Sequence, residues 1–369
     1  MSTKINNTKN INNYFMRLAY MQAKRSLGKT GMNPPVGCVI TNKKNEIISL
    51  GRTDFNGRPH AEIKAIKKYK INLTNSNIYT TLEPCTHFGK TKPCTSEIIN
   101  KKIKKVIYSS TDVDSRTANK AKKILKKNKI KVIENVLNKK INNFYTFYFK
   151  NKKQKLPFVT AKLAISKDNY IKNTRSKNIT NEYSRKISHM LRSKNNGILI
   201  TAKTLLDDNP KLDCRIPGLE KFSPTKIILD KNLATPINSN IFLNSRRSKI
   251  IIFHNIKNNR KIDLLKKNKV LTIFTEIDSK GKFNLKMIFN KLYKLNISRL
   301  LIEGGKKLTE ELLKNSLIDE FYLFRSNKTI SSNGRLNVSK VLKKINTECN
   351  KQKYIVTNLK GNTLIRYNF

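Results

Sequence analysis

The sequence predicts two α/β domains in succession. Three observations carry this. The chain has 369 residues, which at ~100–200 residues per domain is length for two. Apolar strand-like runs alternate with helical stretches over the first 135 residues. A basic, aromatic connector at 138–153 is then followed by Pro157, where a second alternating series begins. The expected domains are residues 12–150 and 151–369.

Taken in order, residues 12–27 read as a helix, after a polar, Asn-rich start expected to be a frayed tail without the apolar core of a secretory signal. "VGCVI" (36–40) and "EIISLGRT" (46–53) read as paired strands. "AEIKAIKKY" is a helix, "NIYTTL" (77–82) a strand, "TSEIINKKI" a helix, "KVIYSS" a strand, "ANKAKKILKKN" a helix and "IKVIEN" a strand. The connector "NKKINNFYTFYFKNKK" could present its rings as a base-stacking platform; a helix packed between two domains is the preferred reading. The second series runs "FVTAKLAIS", helix 181–193, "GILIT", "TKIILD", "KIIIFH", "VLTIF", helix 283–294, "SRLLIEGG", helix 307–315 and "IDEFYLF". The end, "KYIVTNLKGNTLIRYNF", reads as a hairpin turning at Gly361.

Composition narrows the function classes. The net charge of +53 invites a nucleic-acid reading, but only 16 of the 77 basic residues are Arg, leaving 61 Lys. Lys, Asn and Ile are raised together along the whole length, as an A/T-rich coding sequence produces. A dedicated binding face is Arg-bearing, local and interleaved with aromatics. The lysines therefore read as solvated surface, with no specific nucleic-acid partner, although phosphorylated small molecules are attracted. No run approaches ~18 uninterrupted apolar residues, so no membrane span is expected and the chain reads as cytoplasmic. Five cysteines in such a chain read as thiols rather than disulfides. Cys38, in "VGCVI", reads as a core residue and Cys214 as filler.

Four histidines in the whole chain make "GRPHAEIKAI" (57–66) conspicuous, with "TLEPCTHFGKTKPC" (81–94) soon after. His60, Cys85 and Cys94 supply three zinc ligands, and a tetrahedral site then keeps one position open for water. Glu62, on the first turn of the helix that His60 starts, lies near the metal without being forced to ligate it. A free carboxylate there is a proton shuttle for water attacking an amidine-like carbon, until ammonia leaves. Against this stands a closed structural zinc knuckle, with Glu62 a mere helix N-terminal acid or His87 a fourth ligand.

"NPPVGCVI", "GRPHAE" and "TLEPCTHFGKTKPC" together resemble the bifunctional deaminase–reductase of riboflavin biosynthesis. The eight residues between Cys85 and Cys94 set the chain apart from nucleoside deaminases with C-x-x-C. The resemblance continues through "KLAISKDN" (162–169), "HMLRSKNNGILITAKTLLDDNPKLDCR" (189–215) and "LLIEGGKKLTEELL" (300–313). It implies a cytidine-deaminase-like three-layer domain followed by a dihydrofolate-reductase-like domain. It further implies one Zn2+ on His60, Cys85 and Cys94, Glu62 as proton shuttle, NADPH as cofactor, and a phosphoribosylated diaminopyrimidinone as substrate.

By the same resemblance, substrate contacts fall on Ser176, Arg192, Leu212, Arg215 and Glu303. NADPH contacts fall on Ala164, Asn178, Thr204, Asp208, Gly305, Lys306, Lys307, Leu308, Thr309, Glu310 and Glu311. Independently, "IEGG" ends a strand in two glycines before a helix, which lets backbone approach a phosphate at a positive helix end. Arg192 and Arg215 read as phosphate forks, and Lys162 as an acid or electrostatic aid when the ribose opens. Some positions depart from the family: Asn178 for Trp, Asn169 for Gly, Asn209 for Asp, Lys231 for Ser, and a degraded loop at 112–121. These leave open a deaminase-only enzyme with an impaired reductase. A nucleic-acid-binding module on a deaminase scaffold and an RNA-editing deaminase are the alternatives from other classes, which "IEGG" and "LDDNP…R" disfavour. A homo-oligomer is compatible with the sequence.

Overall fold

In the computed structural model, which describes residues 2–68, 72–176, 178–243, 248–349 and 354–369, the chain divides into two units, Met1–Lys155 and Leu156–Phe369. The first runs α1 (Ser2–Ser26), β1 (Gly37–Thr41), β2 (Ile47–Arg52), α2 (Ala61–Lys67), β3 (Asn77–Leu82), α3 (Cys94–Asn100), β4 (Lys105–Ser110), α4 (Ala121–Lys127), β5 (Lys131–Ile133) and α5 (Asn138–Gln154). The expected frayed start is instead helical back to Ser2. Residues 2–11 hold neither Pro nor Gly, so nothing interrupts the ladder from the anchored turns onward.

The sheet order is β2-β1-β3-β4-β5. β1 is antiparallel to β2 and β3, and β3, β4 and β5 run parallel. Two glycines show how it is covered. A Cβ on Gly37 would lie 1.9 Å from the Ala19 carbonyl of α1, and one on Gly51 2.1 Å from the Ala61 carbonyl at the start of α2. Gly51 pairs directly with Cys38, so Gly51 and Gly37 point to opposite faces. Helix α1 therefore lies on one face and α2 on the other: three layers. The connector aromatics fold into this unit. Tyr145 and Tyr148 of α5 are buried, and Tyr145 shares a 2.7 Å hydrogen bond with Thr81 of β3.

The second unit runs β6 (Phe158–Ile165), β7 (Tyr170–Asn173), α6 (Glu182–Ser193), β8 (Gly197–Thr201), α7 (Ala202–Asp208), β9 (Thr225–Leu229), β10 (Ile250–His254), α8 (Asn259–Lys267), β11 (Val270–Phe274), α9 (Leu285–Lys294), β12 (Arg299–Ile302), α10 (Lys306–Lys314), β13 (Glu320–Arg325), β14 (Gly334–Asn337), α11 (Ser339–Glu348), β15 (Tyr354–Leu359) and β16 (Asn362–Asn368). Among the described residues its main sheet has the order β11-β10-β9-β8-β12-β6-β13-β16-β15. It is parallel from β11 to β13, and β16 and β15 continue it antiparallel. Its central strands are mostly apolar because both faces are buried, one core around Phe289 and Phe321, the other around Ile228 and Ile252. The sequence reading omitted the β7–β14 ribbon, α7, α8 and α11; "YIKN" and "GRLN" carry no alternation to betray a strand. No helix among the described residues is long and apolar enough to cross a membrane.

Replacing Gly37 by Ala is expected to push α1 off the sheet and cost roughly 1–3 kcal/mol, since backbone rather than a flexible side chain blocks the new methyl. A thermal melt reads this as a lowered Tm. Gly89→Ala, whose Cβ would meet nothing nearer than 3.7 Å, should leave Tm unchanged.

Candidate active sites

The first site is built where two helices begin. His60 occupies the N-cap of α2, Glu62 sits in its first turn, Cys94 opens α3, and Cys85 lies three residues past β3. His60 Nδ1 is 3.3 Å from Cys94 Sγ and 3.5 Å from Cys85 Sγ. The three donor atoms lie within 4.8 Å of one another. A tetrahedral zinc with one imidazole and two thiolates has nitrogen–sulfur edges of about 3.6 Å, so the donor set and its spacing fit zinc. The Cys94 N–H points at Cys85 Sγ at 3.3 Å. A hydrogen bond from the Cys94 thiol holds the Cys85 thiol well below its usual pKa, with His60 adding to it, while Cys94 itself is pushed up. One proton thus serves both sulfurs, and a metal replaces it.

Glu62 is 3% exposed and its Oε2 has no hydrogen-bond partner. Burial pushes its pKa up to about 7. A carboxyl hydrogen-bonded to Cys94, with its other oxygen unanswered, and balanced near neutrality is suited to moving protons. His87, the alternative fourth ligand, lies outside the cluster with Nδ1 3.1 Å from Thr117 Oγ1.

These residues line one side of a cleft of about 560 Å³. Residues the sequence reading passed over line the rest. The Glu83 carboxylate is buried and accepts from the backbone N–H groups of Asp112 (3.2 Å), Asn119 (3.1 Å) and Ala121 (3.0 Å). Thr86 Oγ1 donates to the Arg116 carbonyl. The loop whose family prolines and glycines are missing is therefore held by polar bonds to the cysteine segment. It presents Asp112, which accepts from Tyr148 at 3.0 Å, and Asp114, gripped by Arg116 and Lys152. Those two cations hold Asp114 far below the usual carboxylate range. Arg58 faces the same cleft, with Nη1 2.6 Å from Thr91 Oγ1 and 3.2 Å from His60 Nε2, and among the described residues it makes no ion pair. Acidic residues number 24 against 77 basic ones, so an Asp-Val-Asp in a loop after a strand was the available signal.

The second site lies at the C-terminal ends of parallel strands β6, β8 and β12, where open α/β sheets bind ligands. A cleft of about 830 Å³ is lined there by Lys162, Ala164, Thr204, Asp208, Leu212, Arg192, Glu303, Gly305, Lys306, Lys307, Leu308 and Glu310, among others. Thr309 is buried, its hydroxyl donating to the Gly305 carbonyl, and Glu311 faces outward to Lys282. Ser176 and Asn178 lie on an exposed stretch after β7, joined to each other, and neither lines the cleft. Nothing stands within 4 Å of a Cβ built on Gly305, the N-cap of α10. Backbone N–H groups at that helix start are open to a phosphate, so the residues fit the diphosphate of a dinucleotide such as NADPH.

Arg192, expected as a phosphate fork, is already engaged. Its Nε and Nη2 donate to the two oxygens of Glu303 at 2.8 and 2.9 Å, and Nη1 donates to the Asp213 carbonyl at 3.1 Å. Against its own burial, Glu303 is held down to about 2 by Arg192, with Lys162 helping. Arg215 is exposed, its Nη2 3.3 Å from His189 Nε2. Burial, Arg192 and Arg215 drive His189 down to about 4, so it stays neutral between the two guanidiniums. Lys231 reaches the Gly281 carbonyl at 3.4 Å. Asn169 and Asn209 take left-handed backbone at φ 68° and 39°. Asn tolerates that region better than most residues, so Asn169 can take a conformation in which a glycine would be unstrained.

Comparison with known proteins covers both halves. Residues 9–110 match the family profile of the cytidine and deoxycytidylate deaminase zinc-binding region, and residues 157–357 match that of the RibD C-terminal domain. The riboflavin biosynthesis protein RibD of Aquifex aeolicus is 34% identical over 85% of this chain and 86% of its own length. That of Actinobacillus pleuropneumoniae is 30% identical over 86% and 84%. The Thermotoga maritima structure of a diaminohydroxyphosphoribosylaminopyrimidine deaminase/5-amino-6-(5-phosphoribosylamino)uracil reductase is 28% identical and superimposes with a TM-score of 0.82, covering 98% of this chain and 99% of that one.

The Arg192–Glu303 pair sets a pH dependence. Glu303's pKa is depressed on folding, so its contribution is fully present above about pH 4.5 and is lost as pH falls from there toward 2. The contribution is on the order of 3 kcal/mol. Urea midpoints measured from pH 6 down to pH 3 should fall more steeply for wild type than for Glu303→Gln.

Proposed function

The chain belongs to the RibD family of bifunctional riboflavin-biosynthesis enzymes, and from that membership we infer which of its residues carry the deaminase and the reductase reaction. The observation that carries the reading is Glu62: a buried carboxyl with one oxygen unpartnered, beside a cluster of three zinc-type donors. Zinc held by His60, Cys85 and Cys94 supplies the Lewis acidity that makes water nucleophilic near neutral pH. Glu62 takes one proton from the attacking water to the pyrimidine ring nitrogen, and then carries the second, from the hydroxyl so added, to the amine, which leaves as ammonia. Its pKa near 7 lets it do both without a large penalty in either direction. The substrate proposed is a phosphoribosylated diaminopyrimidinone. Asp112 offers its carboxylate to the ring's amino hydrogens, and Arg58 with Lys90 faces the phosphate, since among the described residues neither makes an ion pair while Arg116 is held by Asp114.

The second reaction reduces the ribosyl chain of the deaminated product to ribityl. NADPH, when bound across the start of α10, supplies the hydride. Arg192 holds Glu303 ionised and aimed into the cleft, where it can accept from substrate hydroxyls. Lys162 lies under the same cleft, its pKa lowered by burial, and can give a proton to the ribose oxygen as the ring opens. Arg215, with an exposed guanidinium, is the phosphate ligand here. Ser176 and Asn178, outside the cleft lining, rest as ligand contacts on the family resemblance alone. Zinc ligation needs reduced thiols, which favours the cytoplasm. The lysines attract phosphorylated substrates without selecting a nucleic acid.

Glu62→Gln should retain about one zinc per chain, measured by metal analysis, and lose roughly 10²–10⁴-fold in deamination. Cys85→Ser should lose metal and deamination together while NADPH oxidation on the deaminated substrate persists. A Glu62→Gln enzyme that releases ammonia at the wild-type rate would remove the shuttle. Arg58→Gln is expected to raise KM for the phosphorylated pyrimidine about 10- to 150-fold, a charge-assisted contact of roughly 1.5–3 kcal/mol, and to leave the dephosphorylated analogue unaffected. Equal effects on both substrates would take Arg58 away from the phosphate.

A further inference from the structure

We infer that the ion pair between Lys226 and Asp213, buried inside the second unit, positions the substrate-binding turn of the reductase, residues 209–215. The inference rests on reading this unit as the reductase. Lys226 lies in β9, between β8 and β10, where its neighbours Ile227 and Ile228 are buried in the two cores. Its side chain is wholly enclosed: 0% exposed. An ammonium in such a place is strongly unfavourable unless answered, and an apolar side chain of similar size would stabilise the strand at least as well. The ammonium is answered, at 3.0 Å by Asp213 Oδ1 and at 3.1 Å by the Ile241 carbonyl.

Asp213 sits in a turn that does not hold its shape unaided. Leu212 has φ 58° and Asn209 φ 39°, and a leucine in left-handed backbone persists only where the surroundings over-determine it. Asn240 holds Asn209 and Ser223 holds the Cys214 N–H, and Asp213 is the point at which the turn is tied to the sheet by charge. Its carboxylate is tied to the sheet, and its carbonyl accepts from Arg192, whose other nitrogens grip Glu303 at the end of β12. Two residues on, the Arg215 N–H donates to His189 Nδ1 at 3.2 Å. One buried pair therefore sets the height of Leu212 on the cleft wall, the seat of Arg192 and Glu303, and the direction in which Arg215 leaves the turn. Neither Lys226 nor Asp213 lines the cleft, so they act through these residues and not on the ligand.

The test uses the full-length, zinc-loaded chain and three variants, Lys226→Met, Asp213→Asn and the two combined, with Lys226→Arg as the conservative control. Steady-state reductase kinetics on the deaminated phosphorylated substrate separate KM from kcat, and deamination by the same samples reports that the premise of a RibD enzyme holds. Each single change takes the ionic partner from the other member of the pair and should lower Tm. The double variant removes both charges and should recover Tm. A positioning role predicts KM raised roughly tenfold or more in the single and double variants, kcat within roughly threefold, and Lys226→Arg close to wild type. If Lys226→Met does not fold, Asp213→Asn and the double variant carry the same comparison. A stable double variant with wild-type KM would show the pair to be structural only, and so would single variants whose loss of rate tracks the folded fraction with KM unmoved.

Discussion

A carboxylate taken out of water must be answered by a cation, by hydrogen bonds or by a proton, and both units are organised around that constraint. In the first, Glu62 is buried with one oxygen unanswered, and the proton is its remedy: its pKa climbs to about 7. In the second, Glu303 is largely enclosed but gripped on both oxygens by Arg192, and its pKa drops to about 2. The same functional group is thereby made a proton carrier in one place and a permanent anion in the other. Environment, not residue type, divides the roles.

Both units deliver these groups by the same means. Parallel strands end together on one edge, and the segments that leave them start helices whose first N–H groups face the ligand. In the first unit β3 and β4 end side by side, the Glu83 N–H donating to the Ser110 carbonyl at 2.8 Å. The helix starts at His60 and Cys94 then turn their positive ends toward the two sulfurs. In the second, the Glu303 N–H reaches the Leu199 carbonyl across the β12–β8 boundary, and Gly305 begins α10 over open space. The close seating of α1 on Gly37 and of α2 on Gly51 is what keeps the first of these edges rigid.

Positions that depart from the family pattern are rebuilt by other chemistry. Asn169 adopts a left-handed backbone in which a glycine would be unstrained. The 112–121 loop, without its prolines and glycines, is held by one buried glutamate accepting three backbone N–H bonds and by Thr86 and His87. A loop stiffened by proline needs no partner, whereas a loop stiffened by Glu83 depends on the cysteine segment being in place. Local order in this loop is thus coupled to the metal site.

By itself the sequence determined the alternation of strands and helices, the number of units, the zinc donor set and the carboxyl beside it, because those features are local. An apolar run reads as a buried strand wherever it lies, and His-x-Glu on a first helical turn sets its own geometry. The short polar strands β7 and β14 left no such mark, and neither did Glu83 or Arg58, whose parts in the cleft come from segments far apart in the chain. Nor could sequence show that the Arg192 fork is filled by Glu303, 111 residues away, and hence is a holder of that carboxylate before it is a ligand for phosphate. Tertiary structure decided these points because a charge's role depends on which other charges share its low-dielectric surroundings, and only folding brings them within a few ångströms.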